Sequence, residues 1–260
     1  MQVVFYFLIS LLASIVGAIC GLGGGVIIKP TLDLFQLDSV ATISFLSGCT
    51  VLAMSCYSVT KSMRSGESKI DLKLGTPLAI GAAVGGVVGK QLFGILSAQM
   101  QETAGAVQAS CLFVITLATM VYTLRKSHIR THRILKVWVC LIIGLLLGIM
   151  SSFLGIGGGP INLVVFYYFF SMDTKTAAQN SLYVILISQI TSLLATLVTA
   201  SVPPFSWVSL VSMIAGGIGG GMLGRTFNRR MDDKAVEKLF LGLMVVIMAI
   251  SLYNVFQYTR

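Results

Sequence analysis

The sequence predicts an all-α membrane protein built as two inverted repeats, each a broken helical hairpin with a glycine-rich turn followed by three transmembrane helices. Three observations carry this. Apolar runs reach about 20 residues, the length that crosses a bilayer; two glycine clusters share one pattern; and the basic connections change sides between the halves. Of 260 residues, 56% are hydrophobic and 10% charged, more apolar surface than a soluble core can use. The 27 glycines and 12 methionines against 5 prolines suit transmembrane helices packed through small residues.

In chain order, the runs long enough to span are 3–20, 40–60, 74–96, 104–124, 135–154, 176–200, 206–224 and 238–257, about eight spanning helices. The first lacks the basic leader of a secretory signal and is expected to be retained as a helix. Two shorter runs, 25–36 and 159–170, each follow a glycine cluster: Gly21-Leu22-Gly23-Gly24-Gly25 and Gly155-Ile156-Gly157-Gly158-Gly159.

From Gly21 to Gly155 is 134 positions, and Gly81, Gly85 and Gly89 precede Gly216, Gly220 and Gly224 by 135. Lys90 and Arg225 follow those triplets immediately, and Asp38-Ser39-Val40-Ala41 matches Asp173-Thr174-Lys175-Thr176-Ala177 with one insertion. Landmarks in one order at nearly one offset indicate duplication. The repeats are 1–124 and 137–260, joined by a basic linker, 125–136.

Charge relates the halves, because cytoplasmic connections collect Lys and Arg. Connection 61–73 carries Lys61, Arg64, Lys69 and Lys73, whereas its mate, 200–206, carries no charge. Connection 97–103 has only Glu102, whereas its mate, 225–238, carries Arg225, Arg229, Arg230, Lys234 and Lys238. The charge-rich side switches, as in an inverted repeat. The linker, with Arg125, Lys126, Arg130, Arg133 and Lys136, is then cytoplasmic. Each short run turns back to form a hairpin, and both termini face away from the cytoplasm. The net charge of +9 is thus a topology signal, and no nucleic-acid partner is expected.

A glycine cluster breaks the helix at membrane depth, where unpaired backbone groups must be met by protein, water or ligand. The amides of Gly23, Gly24, Gly25, Gly157, Gly158 and Gly159 are candidates to face a solute. Each following short helix aims its positive end at the same place, a disposition that favours an anion. The alternative is close helix packing with a tight turn, which also needs glycine. Nearby polar candidates are Lys29, which neutralises an anion or snorkels to the interface, Asn162, and Ser44, Gln179, Asn180 and Ser181, with Gln189 on the same run as the last three. These bind an oxyanion or bridge helices. Lys90 and Arg225 read as interface anchors, the Gly81 and Gly216 stripes as packing faces, and His128 and His132 as solvated linker residues.

No Lys-Ser/Thr follows either cluster, so neither is a nucleotide loop. Cys20, Cys49, Cys56, Cys111 and Cys140 lack metal-ligand spacing and read as small buried hydrophobes. The spans lack acidic pairs and both histidines lie in the linker, which argues against an intramembrane enzyme. No cofactor is expected.

The paired clusters, the first with Pro30 and the second running into Pro160, resemble the motifs of the TauE/SafE family of sulfite exporter-like membrane permeases. The likeness extends to length, duplication and basic linker. It implies transport of small sulfur-containing anions such as sulfite or organosulfonates. Where the family often has Gly-Thr-Ser after the Ala177 position, this chain has Gln179-Asn180-Ser181, and its first half has Ile43-Ser44-Phe45, so the substrate is left open. The expected function is a secondary transporter of a small anion working by alternating access, with a channel or a carrier of another small solute as the alternative. Its setting is the cell (inner or plasma) membrane. The anion and the bilayer are its partners, and a homodimer is a compatible assembly.

Overall fold

A computed structural model describes residues 2–66, 68–99, 103–156 and 158–258; Glu102 and Gly157 lie outside the described residues. Among those described, all regular structure is helical: α1 (Gln2–Cys20), α2 (Gly25–Phe35), α3 (Val40–Arg64), α4 (Leu72–Gln99), α5 (Ala104–Arg125), α6 (Val137–Phe153), α7 (Pro160–Phe170), α8 (Thr174–Val198), α9 (Trp207–Arg230) and α10 (Asp233–Tyr258). A 3-10 turn, Lys126–His128, leads out of α5. Helix α9 outruns its apolar stretch, because Arg229 and Arg230 in its last turn suit the negative end of the helix dipole.

Seven of these helices are long and apolar enough to cross a membrane. The expected eighth is α6, whose 17 residues rise about 25 Å, less than the roughly 30 Å of a hydrocarbon core. The glycine turn ends it at Phe153. Helix α7 returns the chain toward the linker before α6: His132 N donates to the Tyr168 carbonyl at 2.7 Å and Ile134 N to the Phe169 carbonyl at 3.0 Å. The 11 residues of α7 rise about 16 Å, so its glycine end lies near mid-depth of such a core.

Helix α4 packs along α6, and α9 along α1. A Cβ added at Gly81, Gly85 or Gly89 would strike the Leu141, Leu145 or Ile149 carbonyl; at Gly216, Gly220 or Gly224 it would strike Phe7, Leu11 or Ile15 backbone. Both stripes are packing faces, as expected. Each stripe thus grips a helix on the other side of the 125–136 linker in sequence, so the segments before and after the linker interlock. Other contacts exchange likewise: α3 with α9 mirrors α8 with α4, and α2 with α10 mirrors α7 with α5.

One register needs correcting. The Ser39 side chain caps α3 by accepting from Thr42 N (3.2 Å), and Asp173 caps α8 by accepting from Thr176 N (2.8 Å). The structural mate of Asp173 is therefore Ser39, not Asp38, whose carboxylate accepts from the Tyr6 hydroxyl. A cap is defined by its reach to the amide three residues on, which a match of residue names misses.

Large apolar side chains cover the outside. The two tryptophans, Trp138 and Trp207, are exposed at the starts of α6 and α9, as interfacial tryptophans are. Of the cysteines expected inside, Cys20 and Cys140 are buried, Cys49 and Cys111 half-buried, and Cys56 is exposed. On a helix face toward lipid, a small apolar residue gains nothing from further burial.

Candidate functional site

The two glycine turns touch each other. Gly21, Gly23 and Gly155 take φ of 74°, 68° and 66°, left-handed values that glycine reaches without steric cost. A Cβ at Gly25 would strike the Ile156 carbonyl; one at Gly158 would strike the Ile185 side chain and stand 3.0 Å from the Leu22 carbonyl. Leu22 and Ile156 are repeat mates, so each turn presses on the other about a shared centre, where the N-termini of α2 and α7 converge.

Beside this contact lies a cavity of about 700 Å³, floored by Ser44, Ser152, Gly155 and Gln189 and reaching Thr199, Ser201 and Pro203 in the uncharged connection. The Ser44 Oγ has no hydrogen-bond partner, and a Cβ on Gly155 would come 2.6 Å from it. The half-buried Lys90 lines the same cavity and donates to the Thr196 Oγ1. Its side chain turns to α8 rather than outward, unlike the interface anchor expected of it. The described lining holds this cation and no carboxylate.

A second cavity, about 60 Å³, is lined by the repeat mates of the first: Ser58 for Ser192, Val59 for Leu193, Ala178 for Ser44, Leu182 for Gly48 and Arg225 for Lys90. It lies at the opposite ends of these helices, against the basic connection. Gln179 Oε1 accepts from Ser62 Oγ (3.0 Å) and from Lys69 N (2.9 Å). Arg225 donates from Nη1 to the Ser58 carbonyl (3.0 Å) and from Nη2 to Ser65 Oγ (2.8 Å). Leu182 fills space that Gly48 leaves empty in the larger cavity.

Two cavities of unequal size thus lie at opposite ends of these helices. A family model described as sulfite exporter TauE/SafE matches residues 6–252. The chain belongs to the TauE/SafE family. It is 23% identical over 268 residues to the probable membrane transporter protein YunE of Bacillus subtilis (strain 168), covering 95% of this chain and 96% of that protein. No solved structure matches.

In this TauE/SafE membrane transporter the candidate residues fall into separate places. Ser44 reaches the large cavity. Gly23, Gly24, Gly25, Gly158 and Gly159 lie in the turns and line none of the described cavities, and Gly157 is outside the described residues. Asn162 is buried, borders a void of about 10 Å³ with Ser151 and Ser188, and leaves Oδ1 without a partner. Gln179 and Asn180 latch the 65–71 connection: Asn180 Oδ1 accepts from Asp71 N (2.9 Å) and Nδ2 donates to the Lys69 carbonyl (3.0 Å). Ser181 is fully buried with Oγ unpartnered. Lys29 does not snorkel; it is 3% exposed, and its Nζ lies 2.7 Å from Asp33 Oδ2.

Asp33 was not legible as a buried acid, because it lies in a run too short to span, and Lys90, Ser152 and Gly155 were not among the expected site residues. The signal for Lys90 was present: it and Arg225 close matched glycine stripes, a coincidence an unconstrained anchor does not need.

Proposed function

We propose that this protein is a secondary transporter of a small anion, a sulfur oxyanion or organosulfonate such as sulfite, working by alternating access between inverted halves in the cell membrane. The observation that carries the reading is the unequal pair of cavities, about 700 and 60 Å³, built from repeat-equivalent residues. If the halves exchange conformations, the small cavity becomes the large one and a solute at the centre changes sides. By the rule that basic connections are cytoplasmic, the open cavity faces outward and the latched one inward. The closed inner end counts against a channel.

Anion preference follows from Lys90 in the wall, the absence of a carboxylate among the described lining, and the two helix N-termini at the centre. Ser44, Ser152 and Gln189 supply hydrogen bonds suited to oxyanion oxygens. The sulfur chemistry of the solute comes from the family to which the chain belongs.

The test combines transport with accessibility. In a background lacking the five native cysteines, Ser192→Cys should react with an impermeant thiol reagent from outside and Ser58→Cys should not react from inside. Sulfite should then increase Ser58→Cys labelling. Simultaneous labelling from both sides would replace the carrier with a channel. Proteoliposomes carrying no saturable flux of sulfite or a sulfonate, with sulfate and chloride as comparisons, would remove the substrate class.

A further inference from the structure

Helix α2 carries a buried ion pair that the transport site does not use. Lys29 Nζ donates to Asp33 Oδ2 at 2.7 Å, and the two residues are 3% and 5% exposed. Taking both charges out of water is costly, and such a pair is weak evidence for stability; an ionisable pair at membrane depth is a functional candidate by default.

Two further features make the pair responsive. On one side, the Lys29 stem lies behind the floor of the large cavity: a Cβ on Gly155 would come 3.1 Å from Lys29 Cε and 2.6 Å from Ser44 Oγ. Gly155 has no side chain, so the Lys29 stem and Ser44 Oγ both stand against the space a side chain would fill at the edge of the cavity. On the other side, Asp33 borders a void of about 10 Å³ with Gln108, Ser251 and Asn254. Asp33 Oδ1, Gln108 Oε1, Asn254 Oδ1 and Ser251 Oγ all lack a hydrogen-bond partner. The Gln108 amide nitrogen is engaged by the Phe153 carbonyl (2.6 Å) and that of Asn254 by the Pro30 carbonyl (3.0 Å), which leaves both amide oxygens as acceptors. An ionised Asp33 is served by Lys29. A protonated Asp33 has an O–H to donate and acceptors waiting beside it.

We propose that Lys29 and Asp33 couple anion transport to protons. An anion settling at Gly155 and Ser44 draws the Lys29 ammonium away from Asp33 Oδ2, and the carboxylate, having lost its counter-charge, takes up one proton on its oxygen. One proton then moves with each anion; when the anion leaves, Lys29 returns and the proton is released. Among the described residues, Tyr258 of α10 also faces Asp33. From α1 and α3, Tyr6 and Cys49 pack in the apolar cluster with Ile28 and Leu32, and α5 presents Gln108. The inference rests on the anion site proposed above.

The experiment uses the full chain in proteoliposomes with the membrane potential clamped, and two readouts. One is exchange of labelled for unlabelled sulfite with no pH gradient; the other is net sulfite uptake driven by an inward proton gradient. Sulfite's own protonation is the same for all variants, so the difference from wild type isolates the coupled proton. Wild type should show both activities, the gradient raising uptake several-fold. Asp33→Asn should keep exchange within about threefold of wild type and lose the gradient response; the double variant Lys29→Gln with Asp33→Asn, which leaves no unpaired charge, should lose the gradient response as well, with weaker exchange because Lys29 meets the anion. A retained gradient response in either variant would overturn the coupling role, and so would parallel loss of both readouts in folded Asp33→Asn. Wild type that does not exchange sulfite at all would instead refute the anion site itself; exchange without a gradient response in wild type would refute only the coupling.

Discussion

Arg225 Nη1 donates to the Ser58 carbonyl at 3.0 Å, tying the end of α9 to the end of α3 across the smaller cavity. Its mate Lys90, at the end of α4, bonds Thr196 instead and leaves the larger cavity open. The same repeat position thus serves as a latch at one end and as a charged wall at the other.

Loosening the latch should open the smaller cavity. A hydrogen bond to a charged group is worth about 1.5–3 kcal/mol, and each 1.4 kcal/mol is tenfold in population. Arg225→Gln is therefore expected to raise cytoplasmic labelling of Ser58→Cys by about tenfold or more without substrate, measured as the rate of thiol modification. Unchanged labelling would mean that Gln179 and Asn180 hold the inner end alone.

Lys90 should set anion affinity. A unit charge about 4 Å from another contributes from about 1 kcal/mol in water to about 4 at an effective dielectric of 20. Lys90→Gln should raise the sulfite concentration for half-maximal uptake by at least about fivefold, Lys90→Glu should raise it further, and Lys90→Arg should stay near wild type. Concentration dependence of initial uptake rates checks the series.

The glycine stripes should be intolerant of a single methyl group. Gly85 lies against the Leu145 carbonyl, so Gly85→Ala forces α4 away from α6, an overpacking that costs about 1–3 kcal/mol. Gly242 has open space around it, and Gly242→Ala should be neutral or slightly stabilising, because alanine is the better helix former. Thermal unfolding in detergent should separate the two clearly; equal midpoints would contradict the packing described.

The cap of α8 carries a pH signature. Burial raises the Asp173 pKa, but hydrogen bonds from Thr176 N and Oγ1, aided by Lys69, outweigh it and hold the carboxyl below its usual value. With the folded-state pKa depressed, its contribution is present above the ordinary aspartate value of about 3.9 and is lost as pH falls through the folded value. Asp173→Ala should cost about 1 kcal/mol at neutral pH, and the gap from wild type should narrow in strong acid. A gap that widens on acidification would refute the assignment.

Much of the architecture was legible because it is written in local chemistry. Runs of apolar residues specify helices long enough to span, and the pattern Gly81, Gly85, Gly89 specifies a face that another backbone can approach, whatever that backbone is. The hairpins were legible because glycine clusters ended helices too early to cross twice. Residue types within the site were harder to place. Gln179 and Asn180 have the hydrogen-bonding capacity of oxyanion ligands, yet they bond the 65–71 connection, since any amide side chain serves backbone and solute equally well.

By itself, then, the sequence determined that this is a helical membrane protein with paired glycine turns, since length, hydropathy and spacing are properties of one segment at a time. Only the tertiary structure decided that each glycine stripe grips the other half, that Lys90 faces a cavity while Arg225 closes one, and that Lys29 finds Asp33 beside a void lined by Gln108 and Asn254. These depend on which helix faces meet and how closely. Close packing turns the difference between Gly48 and Leu182 into the difference between open and filled space.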